Sequence, residues 1–151
     1  MQNLANIGAA VLDTHAWLWI SAGASEAVAA ATFQGRCIVS AISVWEVSML
    51  AEKGRLELAP DLDVWISKNL TAPVELERIS PPICIASCRL REFHGDPVDR
   101  LIVATAITLG LPLITADKKI IAWNQSQAHL QILRHAGDRH FLLTAPNGVK
   151  I

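Results

Sequence analysis

The chain has 151 residues and a formal net charge of −1 with its five histidines neutral; 52% of it is hydrophobic and only 18% charged. That length suits one domain able to bury roughly two thirds of its unfolded surface, and the balanced charge excludes a global basic field that would gather nucleic acid by charge alone. Apolar runs such as Leu101 to Ala104 and Ile83 to Ala86 fall far short of the ~18 residues a membrane span needs. The N-terminus lacks the basic region and long apolar core of a signal peptide, so a cytoplasmic protein is expected. A mean hydropathy of +0.34 points to a much-buried α/β core, or to apolar surface covered by a second copy or a binding protein. Cys37, Cys84 and Cys88 are odd in number and form no Cys-x-x-Cys pair. They read as small buried hydrophobes of a reducing compartment.

In chain order, Ile7 to Leu12 reads as a short central strand, with Asp13-Thr14-His15 at its end and a helix through Ala16 to Ile20. Gly23 breaks that helix, and Ser25 can cap a second, alanine-rich one from Glu26 to about Phe33. Cys37-Ile38-Val39 is a second buried strand ending at Ser40, followed by a helix from Ile42 to Lys53 that Gly54 stops. A short amphipathic helix over Asp61 to Asn69, an edge strand over Val74 to Ile79 and a helix over Ile83 to Leu90, opened by Pro81-Pro82, come next. Arg91 to Gly95 is a loop.

The stretch from His94 to Lys118 organises the rest. Asp96 is a good N-cap and Pro97 a good first helical residue, while Gly110 and Pro112 form a stop, so a helix runs from about Pro97 to Leu109. It is apolar almost all round, which marks a helix buried on most sides. Leu111 to Thr115 is then a short buried strand. The helix covers roughly 20 Å and the strand roughly 17 Å coming back, so Asp99 and Asp117 emerge at the same sheet edge. A helix over Lys118 to Asn124 and a last strand over Leu130 to Leu133 complete the pattern. Alternating strands and helices predict a parallel α/β sandwich.

Right-handed β-α units place every strand's C-terminal end on one edge. Asp13, Glu46, Asp99 and Asp117 then converge there. Two unit charges ~4 Å apart repel by about 4 kcal/mol at an effective dielectric of ~20, so the cluster needs protons or cations. No Cys or His stands at ligand spacing, and an all-oxygen site selects Mg²⁺ or Mn²⁺ over Zn²⁺. Phosphodiester hydrolysis suits such a site, with metal activating water and holding the charge of an in-line transition state.

Each acid also has a plainer reading. Ser43-Val44-Trp45-Glu46 fits a capping box; Asp117 can cap the next helix, Asp13 can be a turn residue, and Asp96 is best read as a cap. Thr14, Ser40 and Thr115 fall at strand ends, where a hydroxyl can orient a carboxylate or cap a turn. Arg100, Lys118 and Lys119 border the acidic edge and can hold phosphates or simply be solvated helix-end charges. His15 and His94 receive no catalytic role, and the five tryptophans, spread along the chain, read mostly as core or interface anchors.

Three segments in order, VLDTHAWLW (11 to 19), SAISVWEVSMLAEKGRLEL (40 to 58) and HGDPVDRLIVATAITLGLPLITADKKI (94 to 120), resemble the PIN domain, specifically the VapC-type ribonuclease toxins of bacterial toxin–antitoxin pairs. The resemblance spans roughly residues 10 to 134 of an expected single domain. It implies a three-layer sandwich with a mainly parallel sheet, and Asp13, Glu46, Asp99 and the more variable Asp117 as the acids of a Mg²⁺ or Mn²⁺ site. It also implies endonucleolytic cleavage of structured RNA of the tRNA or rRNA class, a homodimer, and a small VapB-like antitoxin lying in the toxin's groove. Val98 stands where phenylalanine is commoner, a change expected to affect packing only. The first nine residues and the tail over 137–151, with its apolar Phe141-Leu142-Leu143, exceed the compact pattern.

Two other classes compete. A PIN-fold module that holds RNA or a protein without cleaving is opposed by the presence of all four acids. A phosphoacceptor receiver domain lacks the acidic pair that should precede its acceptor.

Overall fold

Four apolar residues in a row, Ala9–Leu12 (β1), are buried on both faces, and a strand of that kind belongs at the centre of a parallel sheet. In the computed structural model, which describes residues 8–22, 35–127 and 132–134, β1 is the middle of five strands. Arg36–Ser40 (β2) and Val74–Glu77 (β3) lie on one side of it, Leu113–Thr115 (β4) and Ile132–Arg134 (β5) on the other. All pairings are parallel, with Val11 opposite both Ile38 and Leu113.

Successive strand residues feed two different cores, as the two-residue period requires. Ala10, Leu12, Cys37, Val39 and Ile114 face a cluster with Trp17, Val47 and Trp65. These belong to the helices Thr14–Ser21 (α1), Ala41–Glu52 (α2) and Leu62–Asn69 (α3). Val11, Ile38 and Leu113 face the opposite cluster with Phe93, Ile102, Val103 and Trp123, carried on the loop before Pro97–Leu109 (α5), on α5 itself and on Lys118–Gln127 (α6). The result is the expected three-layer sandwich. Trp17 is fully buried, meets Trp65 edge-on at 5.1 Å, and donates its indole N–H to Asn69 O at 3.0 Å, which seats α3 against α1.

α5 has the predicted bounds because its signals are local. Asp96 Oδ1 accepts the Val98 N–H at 2.9 Å, Pro97 occupies the first turn, and Gly110 adopts φ 64°, the left-handed stop that favours glycine. Val98 packs in the second core, as a position concerned with packing should. β4 starts later than predicted: Leu111 N–H returns to Ala106 O at 3.0 Å and completes the helix stop, so the strand proper begins at Leu113. Pro112 has no N–H to give, yet its carbonyl still accepts from Val11 N–H at 2.9 Å.

Ser80 precedes Pro81–Cys88 (α4), which packs on α5. Cys84 and Cys88 lie on its exposed side, whereas Cys37 is buried. The expectation of three buried cysteines therefore fails at two, because α4 is an outer helix covered on one side only. The alanine-rich segment over 26–33 and the tail over 137–151 lie outside the described residues. Among the described residues no helix is long and apolar enough to cross a membrane.

Candidate active site

The strand order places β1 and β4 side by side, while the chain leaves β1 toward β2 and leaves β4 toward β5. Helices thus depart to opposite faces at this point, and the strand ends leave a crevice between them, the usual ligand position in an open α/β sheet. Asp13 stands at the end of β1 and is only 5% exposed. Its Oδ1 accepts the Ala16 N–H at 2.7 Å, capping α1, and its Oδ2 accepts the hydroxyl of Thr115 at the end of β4. Thr115 Oγ1 in turn accepts the Asp117 N–H at 3.0 Å. One hydroxyl therefore fixes the two acids that follow the two central strands.

Asp117 serves as a cap as well, with Oδ1 accepting from Lys119 N at 2.7 Å and Ile120 N at 3.2 Å. Its plainer reading is realised, and it still lines the crevice. Glu46 differs. α2 begins at Ala41 under a cap from Ser40, whose Oγ accepts the Ile42 N–H at 3.3 Å. Ser43 is thus already inside the helix and no capping box forms around Glu46. The buried Ser43 instead accepts the Thr14 hydroxyl at 3.0 Å, pinning α1 to α2 beside the crevice.

Asp99 occupies the first turn of α5. Burial raises its carboxyl from the ordinary range to about 7, and the charges of Asp96, Asp117, Glu46 and Asp13 push in the same direction. Asp13, Glu46 and Asp117 therefore all lie within electrostatic reach of Asp99. They line a single pocket of about 260 Å³, together with Asp96 and His94, and Lys118 and Lys119 stand beside them. Arg100 does not join: its guanidinium donates to Phe93 O at 3.4 Å and Leu90 O at 3.3 Å, bracing the preceding loop.

A hard divalent cation fits this donor set, because it is built of carboxylate oxygens whose charges burial makes costly to leave uncompensated. Among the described residues no three His, Cys, Asp or Glu groups lie close enough together to hold an ion by themselves. The acids form walls and do not meet at one point, an arrangement suited to a cation that keeps several of its waters, as Mg²⁺ does. His15 and His94 also line the pocket, although the sequence assigned neither a catalytic role; for His94, its position next to the Asp-Pro-x-Asp segment was the available signal.

Of the tryptophans, Trp17, Trp19, Trp65 and Trp123 are buried anchors, as expected, while Trp45 is 55% exposed on α2.

A model of the PIN domain matches residues 10–123, a range that contains all four acids. Ribonuclease VapC22 of Mycobacterium tuberculosis is 36% identical over 118 residues, covering 73% of this chain and 88% of that protein. Among solved structures, the VapBC2 complex of Rickettsia felis, crystallised with a promoter DNA fragment, superimposes with a TM-score of 0.62 at 15% identity, covering 84% of this chain and 98% of that one. The toxin–antitoxin complex VapBC-5 of Mycobacterium tuberculosis gives 0.59 at 21% identity over 84% and 98%. At those identities the structures speak for the fold. The family match, the 36% identical relative and the parallel sheet with its acidic crevice agree, and the chain belongs to the PIN-domain family.

Proposed function

We propose that this chain is a divalent-cation-dependent endoribonuclease that hydrolyses phosphodiester bonds in structured RNA, and that it is the toxin of a toxin–antitoxin pair. The observation that carries the reading is the gathering of Asp13, Glu46, Asp99 and Asp117 in one pocket at the C-terminal edge of β1 and β4. The relative named as a ribonuclease and the solved neighbours named as toxin–antitoxin complexes support the substrate class and the antitoxin partner. Mg²⁺ or Mn²⁺, when bound, supplies Lewis acidity and an activated water for in-line attack on phosphorus.

The residues of the chain do the rest. Asp13, Glu46 and Asp99 would hold the cation, and Asp117 would complete or orient the shell. Thr115 and the Ala16 N–H hold both oxygens of Asp13, so that carboxylate is fixed before any ligand arrives. Preorganisation of this kind avoids reorganisation at the moment of reaction. Lys118 and Lys119 at the pocket offer positive charge to a phosphate of the RNA backbone. No protein nucleophile is required.

Expression in a bacterial host tests this reading. The wild-type chain should arrest growth and leave discrete fragments of tRNA or rRNA, whereas Asp99→Asn should accumulate as folded protein without arrest. Equal arrest by Asp99→Asn would favour a module that binds without cutting.

A further inference from the structure

Among the described residues, the pocket's acids differ in how they are held. Asp13 has hydrogen bonds on both carboxylate oxygens and Asp117 has two on Oδ1. No described residue donates to the Asp99 carboxylate within hydrogen-bond distance, and the nearest donor is His94 Nε2, 3.5 Å from Oδ2. That nitrogen is itself shut off from solvent and has no hydrogen-bond partner among the described residues. A buried donor without an acceptor is costly, and here it lies at the outer limit of bonding distance from an acid that, like Glu46, receives no hydrogen bond from the described residues.

The ring is placed for this by its neighbours. It stacks on Phe93 with centroids 4.3 Å apart, and Phe93 rests edge-on against Trp123 at 4.9 Å. Arg100 lies 5.8 Å over the Phe93 ring while bonding the loop carbonyls. On its other nitrogen, Nδ1 accepts the Asp96 N–H at 3.4 Å, so the neutral imidazole carries its proton on Nε2.

Resting on the cation-site reading above, we propose that His94 is a positioning residue for Asp99: its Nε2–H holds Oδ2 and leaves the other oxygen of Asp99 free for a cation. Hydrogen bonds to ligating carboxylates commonly set ligand orientation, and their loss weakens metal binding by about 10–100-fold.

The test is calorimetric titration of Mn²⁺ into the full chain as wild type, Asp99→Asn, His94→Phe and His94→Gln, with unfolding midpoints measured in EDTA. His94→Phe keeps the stack on Phe93 and loses the donor; a Gln amide can still donate. The expected result is Mn²⁺ binding weakened about 10-fold or more in His94→Phe and within about 3-fold of wild type in His94→Gln, with unchanged midpoints in EDTA. Wild-type affinity in His94→Phe, beside lost binding in Asp99→Asn, overturns the inference alone. Equal losses in His94→Phe and His94→Gln overturn it in favour of direct ligation or packing. A wild type that binds no Mn²⁺ overturns the cation-site reading and this inference with it. Nitrogen NMR of the wild-type imidazole at about pH 8 needs no variant: an Nε2–H tautomer is expected, and an Nδ1–H tautomer contradicts it.

Discussion

The hydroxyl of Thr115 donates to Oδ2 of Asp13 across 102 positions of sequence and ties the ends of β4 and β1 together at the floor of the acidic pocket. Because the acceptor is a buried carboxylate, the bond belongs to the charge-assisted class, worth about 1.5–3 kcal/mol. Thr115→Val, nearly isosteric, should lower stability in EDTA by about that amount, measured by urea denaturation, and Thr115→Ser should recover most of it. An unchanged urea midpoint in Thr115→Val would mean that the hydroxyl does not hold Asp13.

Asp99 makes stability depend on pH in an unusual direction for an acid. Its folded-state pKa lies at about 7, above the value of 3.8 for a free carboxyl. Between those values the folded state binds more protons than the unfolded one, so stability falls as pH rises. The metal-free protein should therefore melt at a higher temperature near pH 5 than near pH 8, the loss running steadily from above 3.8 up to about 7 and levelling off beyond it. Asp99→Asn should flatten that profile, and added Mn²⁺ should restore the lost stability at the alkaline end. A profile that rises through neutrality in the metal-free wild type would contradict the repulsion among these carboxylates.

Trp65 separates stability from site chemistry. It is 6% exposed and packs on Trp17 on the face of the sheet served by α1 and α3. Trp65→Ala should cost about 3–5 kcal/mol of folding stability and leave Mn²⁺ affinity near that of the wild type under folding conditions. A large loss of Mn²⁺ affinity in the folded variant would show that α3 supports the site directly.

Lys118 and Lys119 bear on RNA. With a net charge of −1, nonspecific RNA affinity should be weak and its salt dependence shallow. Each phosphate contact contributes a slope of about −0.7 in log K against log salt for single strands. Replacing both lysines by Ala should lower the magnitude of the slope by up to about 1.4 without changing Mn²⁺ binding. An identical slope would place the RNA backbone elsewhere.

What was legible in the sequence was whatever local chemistry decides. The Asp96 cap, Pro97 and the Gly110 stop delimited α5, and unbroken apolar runs marked the central strands. Asp99 and Asp117 could be brought to one edge because helix and strand lengths are calculable from residue counts, and Asp13 and Glu46 joined them because β-α units wind right-handed. The order of the five strands was less accessible, since it depends on which cores the alternate residues of each strand share. Cys84 and Cys88 were misplaced for a related reason: apolar composition says that α4 packs somewhere, not that one side stays exposed. His94 was missed because its approach to Asp99 follows a loop in which Glu92 takes φ 56°, a left-handed turn at a non-glycine residue that nothing in the composition announces. Ser43 shows the converse, a motif whose letters fit a cap while the helix had begun earlier at Ala41.

The central claim is that these acids form a cation-dependent nuclease site. Its most direct test is incubation of total cellular RNA with the purified, antitoxin-free protein in Mg²⁺, in Mn²⁺ and in EDTA, beside Asp13→Asn under the same conditions. Discrete fragments that require metal and fall more than ~100-fold in the variant are predicted. Intact RNA under every condition with folded wild-type protein, or equal cleavage by Asp13→Asn, would contradict it.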